Sequence, residues 1–177
     1  MRAEPETLRV ALDRIMSIQF PTVFQSAFDE VQREYGHTIR IIPGDKKWLE
    51  TFNCYAFALG IVDSPRYQTL VQKHCNGALA NSHFMSALLA CGELTKIDEA
   101  RVRVGNLVLY LAEGRLTHAG IVFTGSQRVR SKWGPNELYE HALWEVPQSY
   151  GGQKQFVDAP DKDRITDLLE RYMAQLQ

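Results

Sequence analysis

The sequence lacks any apolar run long enough to cross a membrane. Its longest apolar stretches, Leu107–Ala112 and Ala87–Cys91, are far shorter than the roughly 20 residues that a membrane-spanning helix needs. The first residues include Glu4 and Glu6 and lack the basic and then apolar pattern of a secretory signal. We therefore expect no membrane partner and a cytoplasmic location, with export by a specialised machinery left open.

Cysteine is scarce, and the charge is balanced. The three cysteines are an odd number and include no CxxC pair, which argues against a disulfide framework and predicts free thiols. The 20 basic residues are matched by 21 acidic ones, which gives a net charge of −1. Because the chain has no basic excess and no run of five like charges, nucleic acid is not an expected partner.

The remaining composition is that of an ordinary globular protein, with 45% apolar and 23% charged residues. A chain of 177 residues can bury roughly 70% of its unfolded surface. We therefore expect a single domain over residues 1–177. It would consist of a helical extension (1–50), a core (51–157) and a C-terminal helix (160–177).

The hydrophobic pattern predicts helices first, then an antiparallel sheet and a closing helix, which is an α+β fold. Apolar periodicity and capping residues predict helices over residues 5–18, 21–35, 54–59, 66–74, 78–91 and 161–176, with one or two helical turns over 136–142. Strands are predicted over residues 38–42, 107–111, 117–123, 128–133, 143–146 and 153–157.

Cys54 is the first candidate functional residue. Asn53 is a good N-cap, so Cys54 should lie in the first turn of a short helix. The free N–H groups and the positive end of the helix dipole there favour a thiolate and provide donors for an oxyanion. The alternative is a small core cysteine packed among Tyr55 and Phe57.

His118 is the second candidate. It opens the strand that continues through Ala119 and Gly120. An imidazole can accept a thiol proton and return it to a leaving amine, and a neighbouring glycine leaves space for a substrate. A structural histidine at a strand start is the alternative.

A predicted hairpin brings Ser131 near His118. A regular turn pairs Phe123 with Arg128 and so puts Gly120 opposite Ser131. Because side chains alternate between the two faces of a sheet, Ser131 then shares the face of His118 and can accept its ring N–H.

The same register puts Trp133 opposite His118 and Lys132 on the other face, where we expect a solvated lysine. A one-residue bulge would reverse the assignment. Glu140 and His141 are the alternative residues to orient the imidazole. Trp133 is the tryptophan that we expect to form a cleft wall.

These residues resemble a known group of enzymes. A cysteine at a helix start, a G-(D/N)-L-V-x-Y strand and an H-x-G-I-V strand, in that order, resemble the NlpC/P60 superfamily of papain-like cysteine hydrolases. The resemblance covers roughly residues 50–150 and includes features of a little-studied bacterial branch. The matching segments are Asn53-Cys54-Tyr55-Ala56, Gly105-Asn106-Leu107-Val108-Leu109-Tyr110, His118-Ala119-Gly120-Ile121-Val122, Ser131-Lys132-Trp133-Gly134 and Glu140-His141.

The resemblance implies a papain-like fold, in which the nucleophile's helix packs on an antiparallel sheet. It implies Cys54 as nucleophile, His118 as general base and acid, and a polar third residue on the next strand, which is Ser131 here. The adjoining residues that would line the substrate site are Asn53, Tyr55, Gly120 and Trp133.

The implied function is hydrolysis of an amide bond in a peptide or peptidoglycan-type substrate through a thioester, without a cofactor. A protein deamidase or an acyltransferase would use the same residues. A non-catalytic module that binds a protein partner on the same fold is the other alternative, and a serine at the third position favours it.

No metal site is expected. Two cysteines and two histidines, Cys75, Cys91, His74 and His83, lie in the same third of the chain. Their spacing matches no usual zinc pattern.

Overall fold

The computed structural model describes residues 7–18, 20–74, 79–125, 128–134 and 137–176. Within these residues the chain forms seven helices and seven strands. The helices are α1 (Leu8–Met16), α2 (Pro21–Tyr35), α3 (Lys46–Leu49), α4 (Cys54–Ala58), α5 (Pro65–His74), α6 (Ser82–Ala90) and α7 (Lys162–Gln175). The strands are β1 (Arg40–Ile42), β2 (Thr95–Ile97), β3 (Leu107–Ala112), β4 (Arg115–Thr124), β5 (Arg128–Lys132), β6 (Leu138–Ala142) and β7 (Gln153–Asp158).

All seven strands belong to one sheet in the order β1-β6-β5-β4-β3-β7-β2. Every neighbouring pair is antiparallel, which confirms the α+β prediction. Strand β4, which carries His118, is at the centre. None of the helices within the described residues is both long and apolar enough to cross a membrane.

The sheet is covered by helices on both faces. Helices α4 to α7 pack on one face, and α1 and α2 pack on the other. Sheet residues on the face of α4 to α7 include Leu107, Leu109, Ala119 and Val157. Sheet residues on the face of α1 and α2 include Val108, Tyr110, Val122 and Val129.

The described residues before residue 50 pack on this sheet and add one strand to it. Helix α1 buries one apolar stripe, formed by Ala11, Leu12 and Ile15, as expected of an amphipathic helix that contacts a core. Strand β1 pairs with β6 and extends the sheet at that edge. This region therefore supplies the cover of one whole face.

Two predicted elements are wrong in type. Residues 136–142 were expected to be helical, but 138–142 form β6, which is paired on both sides by β1 and β5. Residues 143–146 were expected to be a strand and form a turn and a bend. The ladder partners on either side of β6 decide its conformation, and short-range periodicity carries no information about them. Of the other predictions, the start of the first helix, Cys75 and residues 126–127 of the hairpin turn lie outside the described residues.

Candidate functional site around Cys54

Helix α4 begins at Cys54 because Asn53 caps it. The Asn53 carbonyl oxygen accepts hydrogen bonds from the backbone N–H groups of Tyr55 and Ala56, both at 3.0 Å. Its amide nitrogen donates to the carbonyl of Ala80 at 2.8 Å. The cap is thus tied to the loop before α6, and the predicted helix start is confirmed. Asn53 serves here as a structural support for the Cys54 backbone.

The Cys54 thiol faces backbone N–H groups but is protonated at neutral pH. Burial raises its pKa to about 11, and this effect is larger than the opposing hydrogen bonds from the backbone of Ala119, Cys54 and Tyr55. The backbone donors act in the direction that a helix start predicts, because each of them lowers the thiol pKa. Desolvation of the thiol outweighs them in the free protein. Cys54 is nevertheless partly exposed.

A gap between β4 and β5 leaves the Ala119 amide available to the thiol. Ladder pairs between these strands, within the described residues, end at Ile121 and Arg130. Val122 exchanges hydrogen bonds towards the β3 side, so the odd-numbered residues of β4 direct their N–H groups towards β5. The N–H of Ala119 thus points into the gap, where it meets the sulfur.

His118 lies on the opposite face of β4 from α4, the helix that begins at Cys54. Its ring stacks on Tyr150 with 3.9 Å between ring centroids and contacts Tyr110 at 5.7 Å, and Tyr110 belongs to the face of α1 and α2. Only 1% of His118 is exposed. Burial, with a smaller effect of His141, lowers its pKa well below the usual 6.5, so the imidazole is neutral. Its Nε2 has no hydrogen-bond partner within the described residues.

Cys54 nevertheless contacts the peptide unit that follows His118. The thiol interacts with the N–H of Ala119, which is the residue directly after His118. The sulfur and the imidazole thus lie on two sides of one peptide unit. The structure does not join them by a hydrogen bond.

Ser131 contacts a different histidine from the expected one. The predicted register is confirmed at Ile121 and Val122, which pair with Arg130 and Val129. The irregularity lies beyond them, at Phe123, and so does not reverse the faces. Yet the Ser131 hydroxyl contacts His141 Nε2 at 2.9 Å, and no hydrogen bond to His118 is formed.

The contacts of His141 fix a closed neutral network. Its Nδ1 lies 2.8 Å from the carbonyl of Ala142 and must donate, so Nε2 accepts from the Ser131 hydroxyl. Ser131 in turn accepts from the indole N–H of Trp133 at 2.9 Å. Burial lowers the pKa of His141 to about 4, which keeps the ring neutral. Every polar atom of this network is satisfied.

Several predicted substrate contacts do not have the required exposure. Trp133 is completely buried, so it is not a cleft wall. The space beside Gly120 is filled as well, because an added Cβ would lie 2.5 Å from Val129 and 3.1 Å from Ser131. Tyr55 is also buried.

The other expected orienting residue, Glu140, binds elsewhere. It forms ion pairs with Arg128 and Arg130, both at 3.3 Å. Both arginines lie on β5, the neighbouring strand. Glu140 therefore stabilises the pairing of β5 with β6, and the structure does not bring it to His118.

Lys132 is the residue that the sequence analysis misjudged. We expected it to be solvated, but only 1% of it is exposed. It lies on the face opposite to Ser131, as strand alternation predicts, and that is the face of α4. Its Nζ donates to the carbonyl of Gly134 at 3.0 Å and lies 5.7 Å from the ring centre of Phe52. The register that placed Ser131 predicts the face of Lys132, but not that α4 buries this face.

A metal site is not indicated. Within the described residues, no group of three or more His, Cys, Asp or Glu side chains is arranged to hold a metal ion. Cys91 is an exposed thiol at the end of α6.

A cavity of about 820 Å³ lies away from Cys54. It lies between the start of α1, the segment after β6 and strand β7. Trp144 is 38% exposed there, and Arg9 and Lys154 lie 5.3 and 5.7 Å from its ring centre. The wall also includes Leu8, Glu99 and Leu143.

A family model matches residues 45–158 of the chain, which is more than half of its length, and its description is "Domain of unknown function (DUF7689)". The matched region contains Cys54, His118, Ser131 and Lys132, whereas α1, α2, β1 and α7 lie outside it. No curated protein and no solved structure matches the chain.

Proposed function

This chain belongs to the family described as Domain of unknown function (DUF7689), and we propose that it is a thiol-dependent amide hydrolase with a papain-like fold. Cys54 is the nucleophile. The substrate is an amide in a peptide, a peptidoglycan fragment or a protein, and the reaction takes place in the cytoplasm. The resemblance to the NlpC/P60 superfamily supports this reading.

The observation that carries the proposal is the set of backbone N–H groups around the sulfur. Three amides, those of Ala119, Cys54 and Tyr55, interact with the thiol at the start of a capped helix. These donors stabilise negative charge on the sulfur. The N–H groups of Ala119 and Cys54 can then bind the oxyanion that develops on an attacked carbonyl, whereas the N–H of Tyr55 is bonded to Asn53. A core cysteine with a purely packing role does not require such donors.

The chemistry follows from the thiol. The Cys54 sulfur attacks the carbonyl carbon, and the bond to the amide nitrogen breaks as that nitrogen takes a proton and leaves as an amine. A thioester remains on the sulfur. Water then attacks the thioester, releases a carboxylic acid and regenerates the thiol.

The raised thiol pKa determines how the attack begins. A thiol with a pKa of about 11 is not a preformed thiolate at pH 7, so its proton must be removed by a nearby base. His118 is neutral and its Nε2 is free to accept a proton. In its present orientation, stacked on Tyr150, the ring must turn to reach the sulfur.

The direct test measures release of a fluorescent amine from a panel of peptide coumarylamides and of peptidoglycan stem peptides. We expect the wild type and Cys91→Ser to release it equally, and Cys54→Ala to fall to the uncatalysed rate. Mass spectrometry should detect an acyl group on Cys54 in the wild type. Activity that survives in Cys54→Ala, or no turnover of any substrate, would count against a hydrolase.

The same assay separates the related chemistries. A deamidase releases ammonia from a protein glutamine or asparagine, and an acyltransferase passes the acyl group to an added amine. Both depend on Cys54 as the hydrolase does. Product analysis of the wild-type reaction therefore shows whether ammonia is released and whether water or an added amine receives the acyl group.

A non-catalytic binding module is the second candidate, and one observation favours it. The cavity at Trp144 is open, whereas His118 is buried beneath Tyr150. A partly exposed indole beside the Arg9 guanidinium suits a flat ligand with an acidic group, while Lys154 is paired with Glu99 at 2.7 Å. We expect 8-anilinonaphthalene-1-sulfonate to bind there and Trp144→Leu to weaken that binding, with Trp48→Leu as the control.

A further inference from the structure

Lys132 is buried in a way that is rare for a lysine. Lysine is almost never fully buried unless its charge is paired, because desolvation of an ammonium is costly. Here the whole side chain is covered, and its Nζ reaches the carbonyl of Gly134 and the face of Phe52. A folded protein keeps such a group only where something stabilises it or uses it.

The surroundings of Lys132 are those of the nucleophile. Phe52 precedes Cys54 by two residues, and α4 packs on the same face of β4 and β5. Charged or titratable groups that interact electrostatically with Lys132 include Glu137 before β6, Cys54 on α4 and Glu50 before α4. The cation–π contact with Phe52, two residues before Cys54, places the ammonium group beside the segment that carries the thiol.

We propose that Lys132 exchanges a proton with Cys54 and holds the resulting thiolate, as the catalytic base of the proposed hydrolase. The inference rests on the proposed function and assigns to Lys132 the step that the resemblance assigns to His118. The Sγ–H bond breaks and an Nζ–H bond forms, so a neutral amine and a thiol become an ammonium and a thiolate. His118 then has no direct role at the sulfur.

Lys132 is a stronger base than His118 in this structure. Burial lowers the pKa of Lys132 to about 8, against smaller raising effects of Glu137, Cys54 and Glu50. A base with a pKa near the working pH is more effective than one that is far from it. His118, whose pKa lies well below 6.5, is a weaker acceptor for a thiol proton.

A coupled pair has a distinctive pH profile. The amine–thiol and ammonium–thiolate forms contain the same number of protons, so their ratio does not change with pH. The reactive form therefore grows only until the pair has lost its first proton, near pH 8. A plateau follows, and a second rise begins only at higher pH.

The experiment measures the iodoacetamide alkylation rate of Cys54 between pH 6 and pH 12 by mass spectrometry, with the exposed Cys91 as an internal reference. In the wild type we expect the rate to level off near pH 8. If Lys132 had no part, the rate would rise in one step towards pH 11. If His118 were the base, the plateau would begin below pH 6.5.

Variants separate charge from proton transfer. Lys132→Met should lower the rate at pH 7 by about tenfold, equivalent to one pKa unit of the thiol, and abolish the plateau. Lys132→Arg should keep the rate at pH 7 because the charge remains, yet lose the plateau because arginine stays protonated. Arg130→Met, two residues earlier on the same face, should match the wild type.

His118→Gln should keep the plateau near pH 8. The proposal is overturned if Lys132→Met and the wild type give the same profile, or if His118→Gln removes the plateau. If Lys132→Met does not fold, the pH profiles of the wild type and Lys132→Arg test the proposal: identical profiles would overturn it.

Alkylation requires no turnover, so this test is independent of the hydrolase. A plateau without amide cleavage would support proton exchange between Lys132 and Cys54 and reject the hydrolase. Amide cleavage that needs Cys54 but not Lys132 would support the hydrolase and reject the role of Lys132.

Discussion

The buried polar groups on the two faces of the sheet differ in kind, although adjacent residues of β5 contribute to both faces. On the face of α1 and α2, Ser131, His141 and Trp133 satisfy one another in a neutral network. On the face of α4, Lys132 and Cys54 place a charge and a thiol among apolar side chains. A satisfied neutral network stabilises a fold, whereas a buried charge near a thiol is an arrangement found in reactive sites.

This difference separates Ser131 from Lys132, which belong to the same segment in the resemblance to the NlpC/P60 superfamily. The segment from Ser131 to Gly134 contributes Ser131 and Trp133 to the face of α1 and α2, and Lys132 to the face of α4. By the resemblance, the third functional position is Ser131. In our proposal, which starts from the face of α4, it is Lys132. The predictions below test each face separately, from the largest expected effect to the smallest.

The strongest prediction concerns Gly151, which positions Tyr150 over His118. Its φ of 95° belongs to the region that favours glycine. An added Cβ would also lie 2.0 Å from the carbonyl oxygen of Leu111. We expect Gly151→Ala to lower the free energy of unfolding by about 4 kcal/mol, in the range reserved for severe strain, as measured by urea denaturation.

The matched control is Gly152→Ala. Nothing lies within 4 Å of a Cβ added at Gly152, so the loss should stay within about 0.5 kcal/mol. Equal stability of the two variants would mean that the backbone at Gly151 is not constrained as described.

The second prediction is acid sensitivity of the face of α1 and α2. His141 has a pKa of about 4 when folded, whereas an unfolded histidine titrates near 6.5. Below pH 6.5 the unfolded chain therefore binds a proton that the folded chain does not. The stability that is present above pH 6.5 is lost as the pH falls towards 4, by about 3 kcal/mol for this residue.

The measurement is the free energy of unfolding against pH, in the wild type and in His141→Gln. The free energy of unfolding of the variant should fall less steeply as the pH falls. The difference in slope should correspond to about one proton taken up on unfolding. His83→Gln, an exposed histidine, should keep the wild-type slope. Parallel curves for the wild type and His141→Gln would contradict the assignment of a buried neutral imidazole.

Much of the fold could be predicted because its signals are local. Asn53 is a cap in the sequence and in the structure, and the hairpin register follows from strand alternation. The type of β6 could not be predicted, because its conformation depends on the strands at either side. Periodicity over a five-residue segment cannot show those neighbours.

The candidate site was predictable to a smaller extent. Alternation correctly separates Lys132 from Ser131, but it does not reveal which face receives α4. That depends on contacts between segments about 80 residues apart in the chain, since 132 − 54 = 78. The default expectation for a lysine is exposure, so its burial beneath Phe52 had no sequence signal.

The third prediction tests the neutral network directly. Ser131→Ala removes the partner of two buried groups, His141 Nε2 and the Trp133 indole N–H. Leaving them unsatisfied costs about 2 kcal/mol of unfolding free energy. Ser86→Ala, at an exposed position of α6, should have little effect.

The alkylation rate of Cys54 adds a second readout to this variant. We expect it to stay unchanged in Ser131→Ala, because Ser131 contacts the opposite face. A large fall in the rate, with stability preserved, would favour the role for Ser131 that the resemblance implies.

The last prediction compares two caps of the same kind. Asn53 caps α4 and Asn81 caps α6, each through a side-chain oxygen that accepts backbone N–H groups. Replacement of either by Ala should cost about 1 kcal/mol of unfolding free energy. Only Asn53→Ala should also slow alkylation of Cys54, because only that cap holds the first turn of α4, whose backbone interacts with the thiol. Equal rates in both variants would indicate that those donors do not support the thiolate, and the site would then rest on Lys132 alone.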